Sequence, residues 1–202
     1  EPAGTVWKTR TMLILASKSA TRQALLSGAG LRFETSPAQI DERLLEADVL
    51  GKGGDARAVA RSLAEAKALA VSANHQQAVV IGADQVLAFD SELFHKPASA
   101  TEAALQLDRL NGGTHHLHAG IALALAGAVL WSAVESATLV MRRFTEAERD
   151  AILTLEGDAV LGSVGAYTDA ASVLERLAAG ADERPERDAL ARRAVAYRAR
   201  AN

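Results

Sequence analysis

Met12-Leu13-Ile14-Leu15-Ala16-Ser17-Lys18-Ser19-Ala20-Thr21-Arg22 is the stretch that decides the fold. Its first five residues are a short, unbroken apolar run, the pattern of a buried strand. The polar Ser17-Lys18-Ser19 follows at once. Ala24, Leu25, Leu26 and Ala29 then fall at helical spacing, and Gly28 and Gly30 supply a stop. The reading is strand, tight turn, helix. A helix start directly after a strand presents free backbone N–H groups and the positive end of the helix dipole, which suits a phosphate. Ser17 and Ser19 can add hydroxyl donors, and Arg22 can clamp phosphate oxygens in bidentate fashion. The plainer alternative is a serine N-cap with an exposed arginine.

Working outward, Leu31 to Glu34 reads as a second strand, followed by a polar loop through Pro37 to Glu42. Residues 46–55 read as a charged, Gly-rich connection. A helix is expected from Ala56 to Ser72, with Val59, Leu63, Ala66, Leu69 and Ala70 on one face. Ala78 to Ala83 is the most apolar strand candidate and is expected to end at Asp84. Val86 to Phe89 and Leu93-Phe94 form a hairpin around Asp90-Ser91. Thr101 to Leu110 is a further helix, closed by Asn111-Gly112-Gly113. Thr114 to Arg142 alternates as two or three strands broken near Gly127. Thr145 to Leu155 is a helix with Thr145 as N-cap and Glu148 three residues on. Strands alternating with helices around a central meander predict an α/β fold with a mixed, twisted sheet and flanking helices.

Composition narrows the function. The 202 residues carry a net charge of −3, so phosphate must be held by a local cluster and not by a basic surface. Neither nucleic acid nor an anionic membrane is an expected partner. No apolar run approaches the roughly 18–20 residues that span a bilayer. The chain has no cysteine, which excludes disulfides and thiolate chemistry and suits the cytoplasm. Residues 1–11 have no apolar signal-peptide core; they read as a cloning remnant or a native extension outside the fold.

Several side chains invite chemistry, each beside a plainer reading. The loop acids Asp41 and Glu42 can hold Mg²⁺ or polarise a water, or can simply be solvated. Asp84 follows the most apolar strand, and ligands of open α/β sheets gather beyond the carboxyl ends of strands. Its charge there needs a partner; otherwise it only caps local backbone. Lys67, on an alanine-rich helix, and Lys96, fixed in an extended approach by Pro97, can neutralise polyphosphate or hold Asp84 ionised. Both can equally snorkel to solvent. His116 and His118 would share a strand face, but no third ligand accompanies them, so they read as ordinary strand histidines.

Taken in order, these pieces resemble the Maf family. Leu13-Ile14-Leu15-Ala16-Ser17-x-Ser19-x-x-Arg22 is similar to its opening signature, Ile40-Asp41-Glu42 to its acidic loop, and Ala66-Lys67-Ala68 to its helical lysine. Ile81-Gly82-Ala83-Asp84 resembles its aspartate strand, and Lys96-Pro97 its lysine–proline loop. Gly113-Thr114-His115 resembles the start of its meander and Gly165-Ala166-Tyr167 the opening of its last motif. The resemblance covers residues 12–167. It implies two lobes around a central cleft and a nucleoside triphosphate pyrophosphatase, in which water attacks the α-phosphorus with Mg²⁺ or Mn²⁺. It also implies that Ser17, Ser19 and Arg22 bind substrate, that Glu42 and Asp84 hold metal, and that Asp84 is the general base. Lys67 and Lys96 would neutralise transition-state charge. A homodimer is the implied assembly.

Thr21 and Gln85 bear on the substrate. Many members have a second arginine and a threonine at these places and are linked with dTTP and UTP. A sister group lacks that arginine, has glutamine after the aspartate and is linked with 7-methyl-GTP, so the resemblance favours 7-methyl-GTP. The C-terminus departs from the family. In place of a Gly-rich turn and closing strand, residues 168–202 read as a helix to Ala179, a stop at Gly180 and a second helix after Pro185. A shifted reading frame in a GC-rich gene would give similar text. Two rival functions follow from that tail: a nucleotide-binding regulator with an impaired site, or a protein whose helical tail binds a partner.

Overall fold

The computed structural model describes residues 12–156, and side chains as far as Thr154. The N-terminal extension, the final family motif and the divergent tail expected over 168–202 lie outside the described residues. The described chain runs β1 (Met12–Leu15), α1 (Ala20–Gly28), β2 (Glu34–Thr35), α2 (Glu42–Gly51), α3 (Ala56–Ser72) and β3 (Ala78–Phe89). It continues through β4 (Glu92–Phe94), α4 (Ala100–Leu110), β5 (Thr114–Leu125), β6 (Ala128–Val140) and α5 (Glu146–Glu156). Hydrogen-bonded strand order is β2-β1-β3-β5-β6, with β4 on β3. β1 runs parallel to both β2 and β3, whereas β4 runs antiparallel to β3. The mixed α/β sheet expected from the sequence is therefore the sheet observed. Among the described residues no helix is long and apolar enough to cross a membrane.

The chain divides into two compact units. One holds the described residues up to Asp84 together with Ala119–Glu135; the other holds Gln85–His118 and the described residues from Ser136 on. In the first unit, Ile14, Ala16, Val71, Ala78 and Val80 form one apolar cluster, and Ala64, Ala68, Ala122 and Ala124 form another. Alanines in both helix and strand bring α3 close to the sheet, so this core is tight and contains few large side chains. α2 packs against α3. The second unit has the bulkier core of Leu87, Phe94, Leu107, Leu110, Met141, Phe144 and Ile152, with α4 packed on α5. Truncating one of those leucines to alanine would cost about 2–5 kcal/mol.

Local chemistry sets the helix ends. Ser19 caps α1, Asp55 caps α3 by accepting from Ala58 N at 2.8 Å, and Ser99 caps α4. At α5 the expected capping box is present: Thr145 N donates to Glu148 at 2.9 Å and Glu148 N to the Thr145 hydroxyl at 3.3 Å. β5 and β6 are joined by Ala126-Gly127, both at positive φ (51° and 78°), the conformation of a tight hairpin turn that glycine favours.

Four expectations need correction. The Gly-rich connection expected over 46–55 is limited to residues 52–55, because Glu42–Gly51 is helical. Asp41 and Glu42 are accordingly not loop acids: Asp41 caps α2, its Oδ1 accepting from Leu44 N at 2.9 Å, and Glu42 opens the first turn. β3 does not end at Asp84 but continues to Phe89. The second strand is also shorter and later than expected, limited to Glu34–Thr35.

Candidate functional site

The Ser17–Arg22 turn is held by hydrogen bonds among its own residues. Ser17 is buried, and its Oγ accepts from Ser19 N and from the Arg22 guanidinium, both at 3.1 Å. Ser19 Oγ accepts from Arg22 N at the start of α1. The two readings offered by the sequence, cap and clamp, are thus compatible: Ser19 is the cap, and Arg22 folds back over the turn. Gln23 adds a bond from its amide to Lys18 O at 3.3 Å.

α3 and β3 supply the charged centre. Along α3, Val59, Ala60, Leu63, Ala64, Lys67, Ala68 and Val71 are buried, so Lys67 belongs to the apolar stripe and not to the solvent face. Lys67 is 8% exposed and Asp84 9%, and Lys67 Nζ lies 2.5 Å from Asp84 Oδ1. The same ammonium is 2.8 Å from Glu42 Oε1, whose side chain is half exposed at the start of α2. The snorkelling alternative for Lys67 is therefore excluded, and Asp84 has the partner that its burial requires.

Burial raises the Asp84 pKa above its ordinary 3.8, and the neighbouring Glu42 carboxylate adds to the rise. The Lys67 charge and hydrogen bond pull it down, as does the Arg22 charge, without cancelling the effect of burial. A carboxylate tuned upward while still paired is suited to accept a proton. A buried ion pair is a poor source of net stability, since desolvation offsets most of the attraction. Its presence in an otherwise apolar seam points to chemistry.

Glu42 and Asp84 offer hard oxygen ligands, which suit Mg²⁺ or Mn²⁺. Among the described residues no group of three or more His, Cys, Asp or Glu could hold an ion. Two carboxylates without a third ligand fit a cation that completes its shell with water and substrate phosphate, as Mg²⁺ commonly does. The donor set thus fits the implied ion.

The remaining predicted residues belong to the second unit. Gln85 follows Asp84 in β3, where neighbouring side chains of a regular strand point to opposite faces. Lys96 is exposed in the segment between β4 and α4, followed by buried Pro97. His116 and His118 stack with ring centroids 6.0 Å apart, and each bonds a β6 hydroxyl, Thr138 and Ser136 respectively. That is ordinary cross-strand pairing. His115 is fully buried, and neither ring nitrogen has a hydrogen-bond partner among the described residues. Sequence reasoning did not single out Asp41 as the cap that places Glu42, although Asp followed three residues later by Leu44-Leu45 was a usable signal.

A sequence profile described as "Maf-like protein" matches residues 12–181. The chain belongs to the Maf family. The match extends beyond Tyr167 into the region where the resemblance read from motifs alone had stopped. A Maf relative from Bradyrhizobium diazoefficiens, named nucleoside triphosphate pyrophosphatase, is 45% identical over 162 residues, 80% of this chain and 79% of that protein. Relatives from Brucella abortus and Rhizobium etli, both named 7-methyl-GTP pyrophosphatase, are 44% and 46% identical over 155 residues, 77% of this chain and 78% of theirs. Among solved structures, a HAM1 protein from Coxiella burnetii is similar at 16% identity and a TM-score of 0.42, over 63% of this chain and 70% of that one.

Proposed function

We propose that this Maf protein is a metal-dependent nucleoside triphosphate pyrophosphatase that converts its substrate to the monophosphate and pyrophosphate, with 7-methyl-GTP favoured over dTTP and UTP. The observation that carries the reading is the buried Lys67 ammonium shared between Asp84 and Glu42. The charge of Arg22, from the phosphate-suited turn, reaches the same carboxylate. The names borne by relatives at about 45% identity support the reaction class.

In this mechanism Ser17, Ser19 and Arg22 bind phosphate oxygens and fix the substrate for in-line attack. Asp84 accepts the proton of the attacking water through a carboxylate oxygen. Lys67 keeps Asp84 ionised and offsets charge as it develops on the phosphoryl oxygens. Lys96 is assigned the same neutralising role. Glu42 and Asp84 would hold Mg²⁺ or Mn²⁺, which when bound polarises phosphate oxygens and stabilises the leaving pyrophosphate. The functional assembly is proposed to be a homodimer, readable by light scattering.

Preference for 7-methyl-GTP rests on Thr21 and Gln85 together with the names of the Brucella and Rhizobium relatives. The test is kcat/KM for pyrophosphate release from 7-methyl-GTP, GTP, dTTP and UTP, with and without Mg²⁺ or Mn²⁺. The reading predicts strict metal dependence and the highest value for 7-methyl-GTP. Equal or better use of dTTP and UTP would remove the substrate assignment and keep the reaction. Tight binding without release from any of them would leave a regulator in its place.

A further inference from the structure

We propose that Gly82 is a positioning residue for this site: it sets how closely α3 lies on β3 and thereby holds the Lys67 ammonium on Asp84. The catalytic meaning of the inference rests on the function proposed above; its geometry does not. Gly82 and Asp84 are two residues apart in β3, hence on the same face of the strand. A Cβ built at Gly82 would lie 2.0 Å from Ala64 O, 2.6 Å from Ala68 N and 2.8 Å from Ala68 Cβ. The first two are backbone atoms and cannot swing aside. They belong to the helical turn that contains Lys67, so any side chain at position 82 must lift that turn off the strand.

Gly120 in β5 makes the same demand on α3 away from Lys67, and so supplies the control that separates an effect on the Lys67 turn from a general need for close packing. A Cβ there would lie 2.2 Å from Ala60 O and 2.6 Å from Ala60 C, on the same helix but seven residues before Lys67. Neither glycine has a left-handed backbone, so both positions require the missing side chain and not conformational freedom. The pair therefore offers two comparable wedges under one helix, one beneath the ammonium and one about two turns away. Lys67 is held by two carboxylates at hydrogen-bonding distance, and a shift of its turn by an ångström breaks at least one contact.

The deciding experiment compares Gly82→Ala with Gly120→Ala by two readouts. Labelling of Lys67 with an amine-reactive ester, resolved by peptide mass against exposed Lys52, reports the ion pair without reference to activity. Steady-state kinetics on the best substrate of the wild-type panel report its consequence. For Gly82→Ala we expect Lys67 labelling to rise about tenfold and kcat to fall on the order of a hundredfold with little change in KM. Gly120→Ala should lose comparable thermal stability while Lys67 labelling and kcat stay within about threefold of wild type. Unchanged labelling in folded Gly82→Ala overturns the proposal, and so do equal losses of kcat in both variants. If Gly82→Ala does not fold, Ala68→Ser inserts a smaller wedge in the same contact from the helix side and must show the same direction of change. If the wild type releases no pyrophosphate, the labelling comparison still decides the positioning role, and only the functional reading has failed.

Discussion

Lys67 Nζ lies 2.5 Å from Asp84 Oδ1 in a seam where both side chains are only 10% exposed. Residues seventeen apart in sequence, one on a helix and one on a strand, form a buried ion pair. Each needs the other: the ammonium makes a mid-strand aspartate tolerable, and the aspartate lets a lysine occupy the apolar stripe of α3.

Lys67→Met removes that partner while keeping the volume. The Asp84 pKa, already raised, should rise further once the lowering effect of Lys67 is gone. A raised folded-state pKa gives stability that is present below the unfolded value of 3.8 and lost as pH climbs through the folded value. The variant should therefore be destabilised by on the order of 3 kcal/mol at about pH 8, and by less at about pH 5. Urea denaturation at the two pH values checks it; a penalty independent of pH would mean that Asp84 is not the group left unpaired.

Arg22→Ala should act on binding. Loss of a charge-assisted phosphate contact predicts affinity weaker by about tenfold to a hundredfold for a non-hydrolysable triphosphate analogue, with a smaller effect on turnover. Calorimetric titration gives the affinity directly. Unchanged affinity would remove Arg22 from the phosphate cradle and leave it as a brace for Ser17.

His115 predicts an acid limb in stability. Burial, with a smaller push from the neighbouring His116, lowers its pKa below the ordinary 6.5, so it folds neutral. Between that lowered value and 6.5 the unfolded chain binds more protons, and stability must fall as pH drops through this window. His115→Leu should flatten the limb and cost less than about 1 kcal/mol at neutral pH, because no hydrogen bond to the described residues is given up. Thermal melts from neutral to acidic pH test both statements; an unchanged acid limb would place its origin elsewhere.

Much of this was legible in the sequence, and the exceptions share a cause. α3 was readable to the residue over Ala56–Ser72 because its apolar positions recur with helical period and Asp55 caps it. The capping box of α5 was likewise local. α2 was not legible: glycines at 51, 53 and 54 suggested a loop, and its amphipathicity becomes informative only once α3 is there to pack on. β3 seemed to stop at Asp84 because an aspartate and a glutamine interrupt an apolar run. What lets the strand continue is Lys67, a contact between distant residues that strand periodicity cannot reveal. The same contact explains why Lys67 looked like a snorkelling lysine when read alone. Only the order of motifs along the chain grouped Ser17, Arg22, Glu42, Lys67 and Asp84 as one candidate site.

The most direct test of the account separates binding from turnover at Asp84. Asp84→Asn keeps the shape and removes the base together with one carboxylate of the proposed metal pair, with Lys67 still able to pair with Glu42. With saturating metal and the preferred triphosphate, pyrophosphate release should slow by at least about a thousandfold, with nucleotide affinity within about fivefold of wild type. Wild-type turnover in Asp84→Asn would contradict it and remove the Lys67–Asp84 pair from the chemistry.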